Sequence, residues 1–269
     1  MEQLNELALF AGAGGGILGG KLLGWRTICA VEWEPYPASV LCARQNDGLL
    51  PPFPIWDDVQ TFDGKPWKGI VDVVSGGFPC QDISAAGKGA GIDGERSGMW
   101  REMARIICEV EPRFVFVENS SMLTSRGLGI VLGDLASMGF DARWGVLGAA
   151  DVGAKHQRDR IWIVANTKRK RLERHRQIGK QEVAWSGSGS TLAYSENERD
   201  VWRNWKLGFA QQEHHKGRSP SNGRREWWEI EPNVGRVVNG VAARVDRLKA
   251  IGNGQVPLCA ATAWRILSA

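Results

Sequence analysis

Over its first 165 positions the chain alternates short apolar runs with amphipathic or glycine-rich stretches. Runs at 7–10, 27–31, 71–75, 114–117 and 161–164 are dominated by Val, Ile, Leu, Phe and Ala and predict buried strands. Between them, 17–24, 101–110 and 130–138 carry helical spacing, the last ended by Gly139, while 12–16 reads as a turn. Continuous apolar strands separated by helices predict a parallel sheet covered on both faces, a doubly wound α/β domain. After Ala165 the periodicity disappears for about seventy residues, with linker-like Ser and Gly at 186–190. It resumes near Val237, with a helix expected through Arg247 and another over 257–267. The expected organisation is a catalytic domain built from 1–166 and 236–269, interrupted by a small, irregular region over 167–235.

Charge sharpens this division. The 269 residues carry a net charge of only +4, but 168–228 holds 14 Lys and Arg against 7 Asp and Glu. The same stretch holds Trp185, Trp202, Trp205, Trp227 and Trp228 and three of the four histidines. Basic residues interleaved with aromatics suit a polyphosphate partner with stackable bases, although a solvated surface insertion has the same composition. The length is enough for a core that needs no disulfide or metal staple. Cys29, Cys42, Cys80, Cys108 and Cys259 are widely spaced and form no C-x-x-C pair, which suggests a reducing compartment and no zinc knuckle. Early acidic residues and the absence of a long apolar run predict a soluble, cytoplasmic protein without signal peptide or membrane span.

Three sequence features carry chemistry. The run Phe10-Ala-Gly-Ala-Gly-Gly-Gly16 follows a strand and opens a helix, and Glu32 stands 20 residues after Gly12 at the next strand end. Bare backbone at a helix start and a carboxylate in reach of ribose hydroxyls imply an adenosine-bearing cofactor, either a dinucleotide or S-adenosylmethionine. Trp33 is placed to stack on adenine. Second, Gly76-Gly-Phe-Pro-Cys-Gln-Asp-Ile-Ser84 lies just past a strand, where open α/β sheets present ligands and nucleophiles, making Cys80 a candidate nucleophile. Third, Glu118 ends the 114–117 strand at the same sheet edge as a candidate proton donor, and Arg158 and Arg160 precede the strand at 161–164.

Taken in order, these motifs resemble the S-adenosylmethionine-dependent DNA cytosine-5 methyltransferases. The resemblance rests on the glycine loop from Phe10, Glu32-Trp33, Asp58, Pro79-Cys80-Gln81, Glu118-Asn119, Arg158-x-Arg160 and Gly252-Asn253. It covers roughly 7–165 and 235–269, with the basic insertion where the family keeps its target-recognition region; the short, Trp- and Arg-rich form is similar to phage and prophage members. It implies a Rossmann-like methyltransferase fold and, without a metal, transfer of a methyl group to C5 of a flipped-out cytosine in double-stranded DNA. Cys80 would attack C6, and Glu118 would hold N3 and the exocyclic amine. Arg158 would bind the O2 side, and Arg160 would support Glu118 or the loop. Phe10, Gly12, Gly14, Gly15, Glu32, Trp33, Asp58, Pro79 and Asn253 would hold the cofactor. Gln81, Ser84, Arg199, Arg203, Arg224 and Arg225 would meet DNA. The resemblance further suggests a monomer in a bacterial cytoplasm, with a cognate restriction endonuclease as a further partner.

The chain departs from the family pattern at Ser120, where Val is usual, and at His156, where the first position of a Gln-x-Arg-x-Arg motif is expected. The link to the last motif, over 234–248, is also atypical. Other readings are an RNA cytosine-5 methyltransferase, a DNA-binding protein with a decayed site and a nicotinamide oxidoreductase. The last leaves Pro79-Cys80 and the paired arginines without a purpose.

Overall fold

The computed structural model describes residues 3–79, 98–167 and 244–269, all of which fall in one compact unit. Among them, seven strands form a single sheet: β1 (Asn5–Leu9), β2 (Arg26–Val31), β3 (Ile55–Trp56), β4 (Val73–Gly76), β5 (Phe114–Ser120), β6 (Phe140–Leu147) and β7 (Arg160–Thr167). The order across the sheet is β3-β2-β1-β4-β5-β7-β6. Helices α1 (Gly15–Leu22), α2 (Pro35–Asn46), α3 (Met99–Val110), α4 (Leu123–Arg126) and α5 (Leu128–Ser137) follow in chain order, with α6 (Arg244–Asn253) and α7 (Pro257–Leu267) near the C-terminus.

The expected α/β class holds, but the sheet is mixed. β1 to β5 pair in parallel, whereas β7 runs antiparallel to both β5 and β6. β6 had no clear apolar run because it carries Asp141, Arg143 and an exposed Trp144 along its length. Antiparallel neighbours need no crossover helix, so β6 and β7 are joined by residues 148–159 with only a 3-10 turn at Ala150–Val152. α2 was also unpredicted: it buries little beyond Leu41 and so shows almost no amphipathic pattern.

The sheet is covered on both faces. One face packs Leu7, Leu9, Val74, Val115, Val117 and Ile163 against α3 and α5. α3 has the needed spacing, burying Trp100, Met103, Ile106, Ile107 and Val110 along one stripe. On the other face, Ala8 and Ala30 meet Ile17 of α1 and Leu41 of α2. That face also receives α7, whose Trp264 makes edge contacts with Trp25 at 4.6 Å, Phe114 at 5.3 Å and Phe116 at 5.5 Å between ring centroids. α7 and α1 approach through Gly19 and Ala260. This aromatic anchor and small-residue contact bring the segment before α7 back to the glycine loop at the head of α1. The expected helix through Arg247 extends to Asn253, and that expected over 257–267 spans Pro257–Leu267. Beyond Thr167 the expected insertion over 167–235 lies outside the described residues, as do 236–243.

Candidate active site

A cavity of about 600 Å³ opens where the parallel strands end. Its wall takes Phe10 and Gly12 from after β1, Glu32 and Trp33 from after β2, Asp58 from after β3, and Phe78 and Pro79 from after β4. Glu118 to Ser120 of β5, Arg160 of β7 and the turn at Gly252–Gly254 complete it. β7 contributes through its beginning because it is antiparallel, its Arg160 standing opposite Ser120. The carboxyl edge of an α/β sheet is where loops diverge and a ligand can reach backbone and strand-end side chains together.

One end of the cavity suits an adenosine-bearing molecule. Glu32 is buried and its two carboxylate oxygens accept separate backbone N–H groups, from Gly12 at 2.6 Å and from Glu34 at 2.8 Å. Each oxygen keeps lone-pair capacity for a further donor, which matches a vicinal diol. Burial pushes the Glu32 carboxyl above its usual range, while the Glu34 and Gly12 amides pull it back. Trp33 is 69% exposed on the cavity wall, leaving an aromatic face open for stacking. Asp58 lines the same end, one oxygen accepting the Gln60 N–H at 2.9 Å.

At the other end, Glu118 is buried, and the Arg160 Nε lies 2.9 Å from its Oε1. Burial raises the Glu118 carboxyl to about 7, against the pull of Arg160, Arg158 and a side-chain hydrogen bond from Gln255. Gly77 permits this placement, because a Cβ there would come within 2.6 Å of Glu118 Oε2. Asn119 donates from its side chain to the Phe78 carbonyl at 3.0 Å, tying the end of β5 to the loop that leads into Cys80. A neutral carboxyl near physiological pH beside a fixed cation can give up a proton and be stabilised as the anion.

Most of the predicted residues that are described converge on this cavity: Phe10, Gly12, Glu32, Trp33, Asp58, Pro79, Glu118, Arg160 and Asn253 all line it. Gly14 and Gly15 do not. A Cβ on Gly14 would meet Leu41 of α2, and one on Gly15 would collide with the Gln255 backbone between α6 and α7, so both glycines make room for neighbouring parts of the chain. Of the two arginines, Arg160 stands beside Glu118, the partner expected for it, and Arg158 is placed differently. Arg160 occupies the cavity, whereas the Arg158 guanidinium donates to the carbonyls of Gly252 at 2.6 Å and Gly254 at 2.7 Å, bracing the C-terminal turn. His156 is exposed, and Ser120 lines the cavity with its hydroxyl 3.4 Å from the Met122 N–H. Cys80, Gln81, Ser84, Arg199, Arg203, Arg224 and Arg225 lie outside the described residues. Sequence reasoning missed Gln255. Its only signal is a polar residue just before Val256-Pro257, the cap and first turn of α7. Among the described residues no cluster of His, Cys, Asp and Glu could hold a metal ion, and no helix is long and apolar enough to cross a membrane.

The profile of the C-5 cytosine-specific DNA methylases matches residues 4–254. The chain is 32% identical over 167 residues to the type II methyltransferase M.NgoMIV of Neisseria gonorrhoeae, covering 61% of this chain and 52% of that protein. It is 30% identical over 186 residues to M.HaeII of Haemophilus aegyptius, covering 68% and 56%. The chain thus spans about half the length of the curated relatives it matches. Among solved structures, a protein described as a DNA modification methyltransferase encoded within an E. coli prophage superposes with a TM-score of 0.51 at 23% identity, over 63% of this chain and 48% of that one. That likeness concerns the fold. With the profile matched from β1 to the turn before α7, the chain belongs to the C-5 cytosine-specific DNA methylase family.

Proposed function

We propose that this chain transfers a methyl group from S-adenosylmethionine to C5 of cytosine in double-stranded DNA. The observation that carries the reading is the buried Glu118–Arg160 pair in a cavity whose far end presents Glu32 and Trp33. When bound, S-adenosylmethionine supplies an electrophilic methyl group on a sulfonium. Glu32 would take the ribose hydroxyls, Trp33 and Phe10 the flat and apolar parts, and Asp58 the adenine amine, with Gly12 and Asn253 closing the pocket.

C5 of cytosine is a weak nucleophile, so the ring must first be activated. The Cys80 thiolate adds to C6, forming an S–C6 bond and driving electron density toward C5 and N3. Glu118, neutral at the start, gives its proton to N3, and Arg160 stabilises the carboxylate that results. C5 is then enamine-like and takes the methyl group. Loss of the C5 proton to solvent restores the C5–C6 double bond as sulfur leaves as the thiolate, and the N3 proton returns to Glu118. The products are 5-methylcytosine and S-adenosylhomocysteine. A free thiol has a pKa of about 8.5, so the loop around Cys80 must favour the thiolate or pass its proton to a base as attack occurs.

Because C5 and C6 are stacked inside a duplex, the base must be flipped into the cavity. The basic insertion, with Arg199, Arg203, Arg224 and Arg225, would hold the opened duplex and read flanking bases, while Gln81 and Ser84 would meet DNA. We further propose that residues 1–166 and 236–269 make the catalytic domain and 167–235 the recognition region, that the protein acts as a monomer in the cytoplasm and that it has a restriction endonuclease partner. Incubation with tritiated S-adenosylmethionine and unmethylated duplex DNA, followed by bisulfite sequencing, tests the activity. Label in DNA and protected cytosines in one short context support it; label appearing only in RNA rejects DNA as the substrate.

A further inference from the structure

The C-terminal segment does more than close the cofactor end of the cavity. Gln255, just before α7, touches three separate parts of the site. Its backbone carbonyl occupies the space where Gly15 would carry a Cβ, and its Oε1 lies 2.6 Å from the corresponding point on Gly16, at the start of α1. On the other side its Nε2 stands 3.0 Å from the point above Gly77 that is also 2.6 Å from Glu118 Oε2, and its amide hydrogen-bonds Glu118. The turn that carries Gln255 is held from outside by Arg158, through the Gly252 and Gly254 carbonyls. Gln255 itself is not part of the cavity wall.

We propose that Gln255 is a positioning residue for Glu118: its side-chain amide fixes the carboxyl that Arg160 holds from the opposite side and links that carboxyl to the first turn of the glycine-loop helix. The inference rests on the methyltransfer reading for its catalytic meaning, but the placement of the amide does not depend on it. Arg160 from β7 takes Oε1, so the orientation of the carboxyl plane depends on what meets Oε2. Gly77 presents bare backbone there, and the Gln255 Nε2 reaches into the same space as Oε2 while its amide hydrogen-bonds Glu118. Among the described residues, the charged groups acting on Glu118 are Arg160 and, from the preceding loop, Arg158. Because Gln255 presses against Gly15 and Gly16 as well, displacement of α1's first turn would be felt at Glu118 through one side chain.

An amide N–H stabilises the ionised carboxylate more than the neutral acid, so its removal raises the Glu118 pKa. Carbon-13 carboxyl NMR of the full chain without cofactor, with the Glu118 signal assigned by Glu118→Gln, reads that value directly. Gln255→Met keeps the length and removes the donor; the Glu118 midpoint is expected to rise by roughly one pH unit, the scale of one charged hydrogen bond. Gln255→Asn, which withdraws the amide by one methylene, is expected to shift it in the same direction and serves if the methionine variant does not fold. A midpoint that stays in place or falls in a folded variant overturns the proposal, whatever happens to the rate. In a parallel pH profile of methyl transfer, the alkaline limb is expected to move upward in Gln255→Met while S-adenosylmethionine affinity stays within a few-fold. If the wild type transfers no methyl group to DNA or RNA but the NMR midpoint moves, the positioning role stands and the methyltransfer reading falls.

Discussion

Arg160 places its Nε 2.9 Å from Oε1 of Glu118, although its direct partner in the antiparallel ladder is Ser120 and the pair is therefore diagonal across β5 and β7. The diagonal reach turns the Glu118 carboxyl toward the cavity. It also puts a fixed cation where a carboxylate would form after proton donation. Glu118→Gln keeps the shape and cannot donate a proton in the same way, and we expect methyl transfer to fall roughly 10²- to 10⁴-fold, the range for a general acid. Since the Glu118 carboxyl sits at about 7, wild-type turnover should decline as pH rises through that value. A pH–rate profile over 5.5–9 checks this, and its alkaline limb should disappear from the residual activity of Glu118→Gln.

A third buried carboxyl lies away from the cavity wall. Glu6 on β1 lies beneath α1, accepting the Thr27 hydroxyl at 2.7 Å and the Ser75 hydroxyl at 2.6 Å, with no cation paired to it among the described residues. Burial raises its pKa. The fold therefore favours the neutral acid: this contribution to stability is complete below the unfolded value of about 4.3 and is lost as pH rises through the raised folded value. Glu6→Gln should raise Tm at pH 8, by roughly 2–4 °C for each kcal/mol recovered, and make little difference at pH 4. Thermal melts of both proteins at the two pH values check the sign.

For the cofactor end, Glu32→Ala removes a carboxylate that already accepts the Gly12 and Glu34 amides and has capacity left for hydroxyl donors. Loss of a charge-assisted hydrogen bond corresponds to roughly 10- to 100-fold weaker binding of S-adenosylmethionine. Calorimetric titration checks this, and unchanged affinity would remove Glu32 from the site.

Gly12 and Gly15 should separate in the same way. A Cβ on Gly15 would collide with the Gln255 backbone, so Gly15→Ala is expected to cost about 1–3 kcal/mol of stability or more by overpacking. Gly12 faces the cavity with open space around its Cβ position and a φ of +55°. Gly12→Ala should therefore cost about 1–2 kcal/mol through its left-handed backbone alone and weaken cofactor binding as well, whereas Gly15→Ala should act on stability through the collision. Denaturant unfolding and calorimetry on both variants check the division.

The legible parts of the sequence were those with strong local signals. Apolar runs gave β1, β2, β4 and β5 to within a few residues, and strand ends gave Glu32 and Glu118, because a polar residue after a buried strand lies at a sheet edge. β6 was hidden because Asp141 and Arg143 dilute its alternation; β7 was legible from its apolar run at 161–164, but its antiparallel direction, set by pairing with β6 and β5, was not. The division between Arg158 and Arg160 could not be read from alternation alone: it depends on the turn at Gly252–Gly254, almost a hundred residues away. Gln255 belongs to the same class of long-range contact, set by how Trp264 and Ala260 seat α7 on the sheet and on α1.

The central claim is covalent activation of cytosine by Cys80, and duplex DNA carrying 5-fluorocytosine at the target position tests it most directly. Fluorine cannot leave C5 as a proton does, so the enzyme that has added to C6 and transferred its methyl group stays bound to DNA. Mass spectrometry should find the adduct on the peptide containing Cys80 in the wild-type protein, dependent on S-adenosylmethionine and absent from Cys80→Ala. Methyl transfer by Cys80→Ala at the wild-type rate, or an adduct mapped to another residue, would contradict the account.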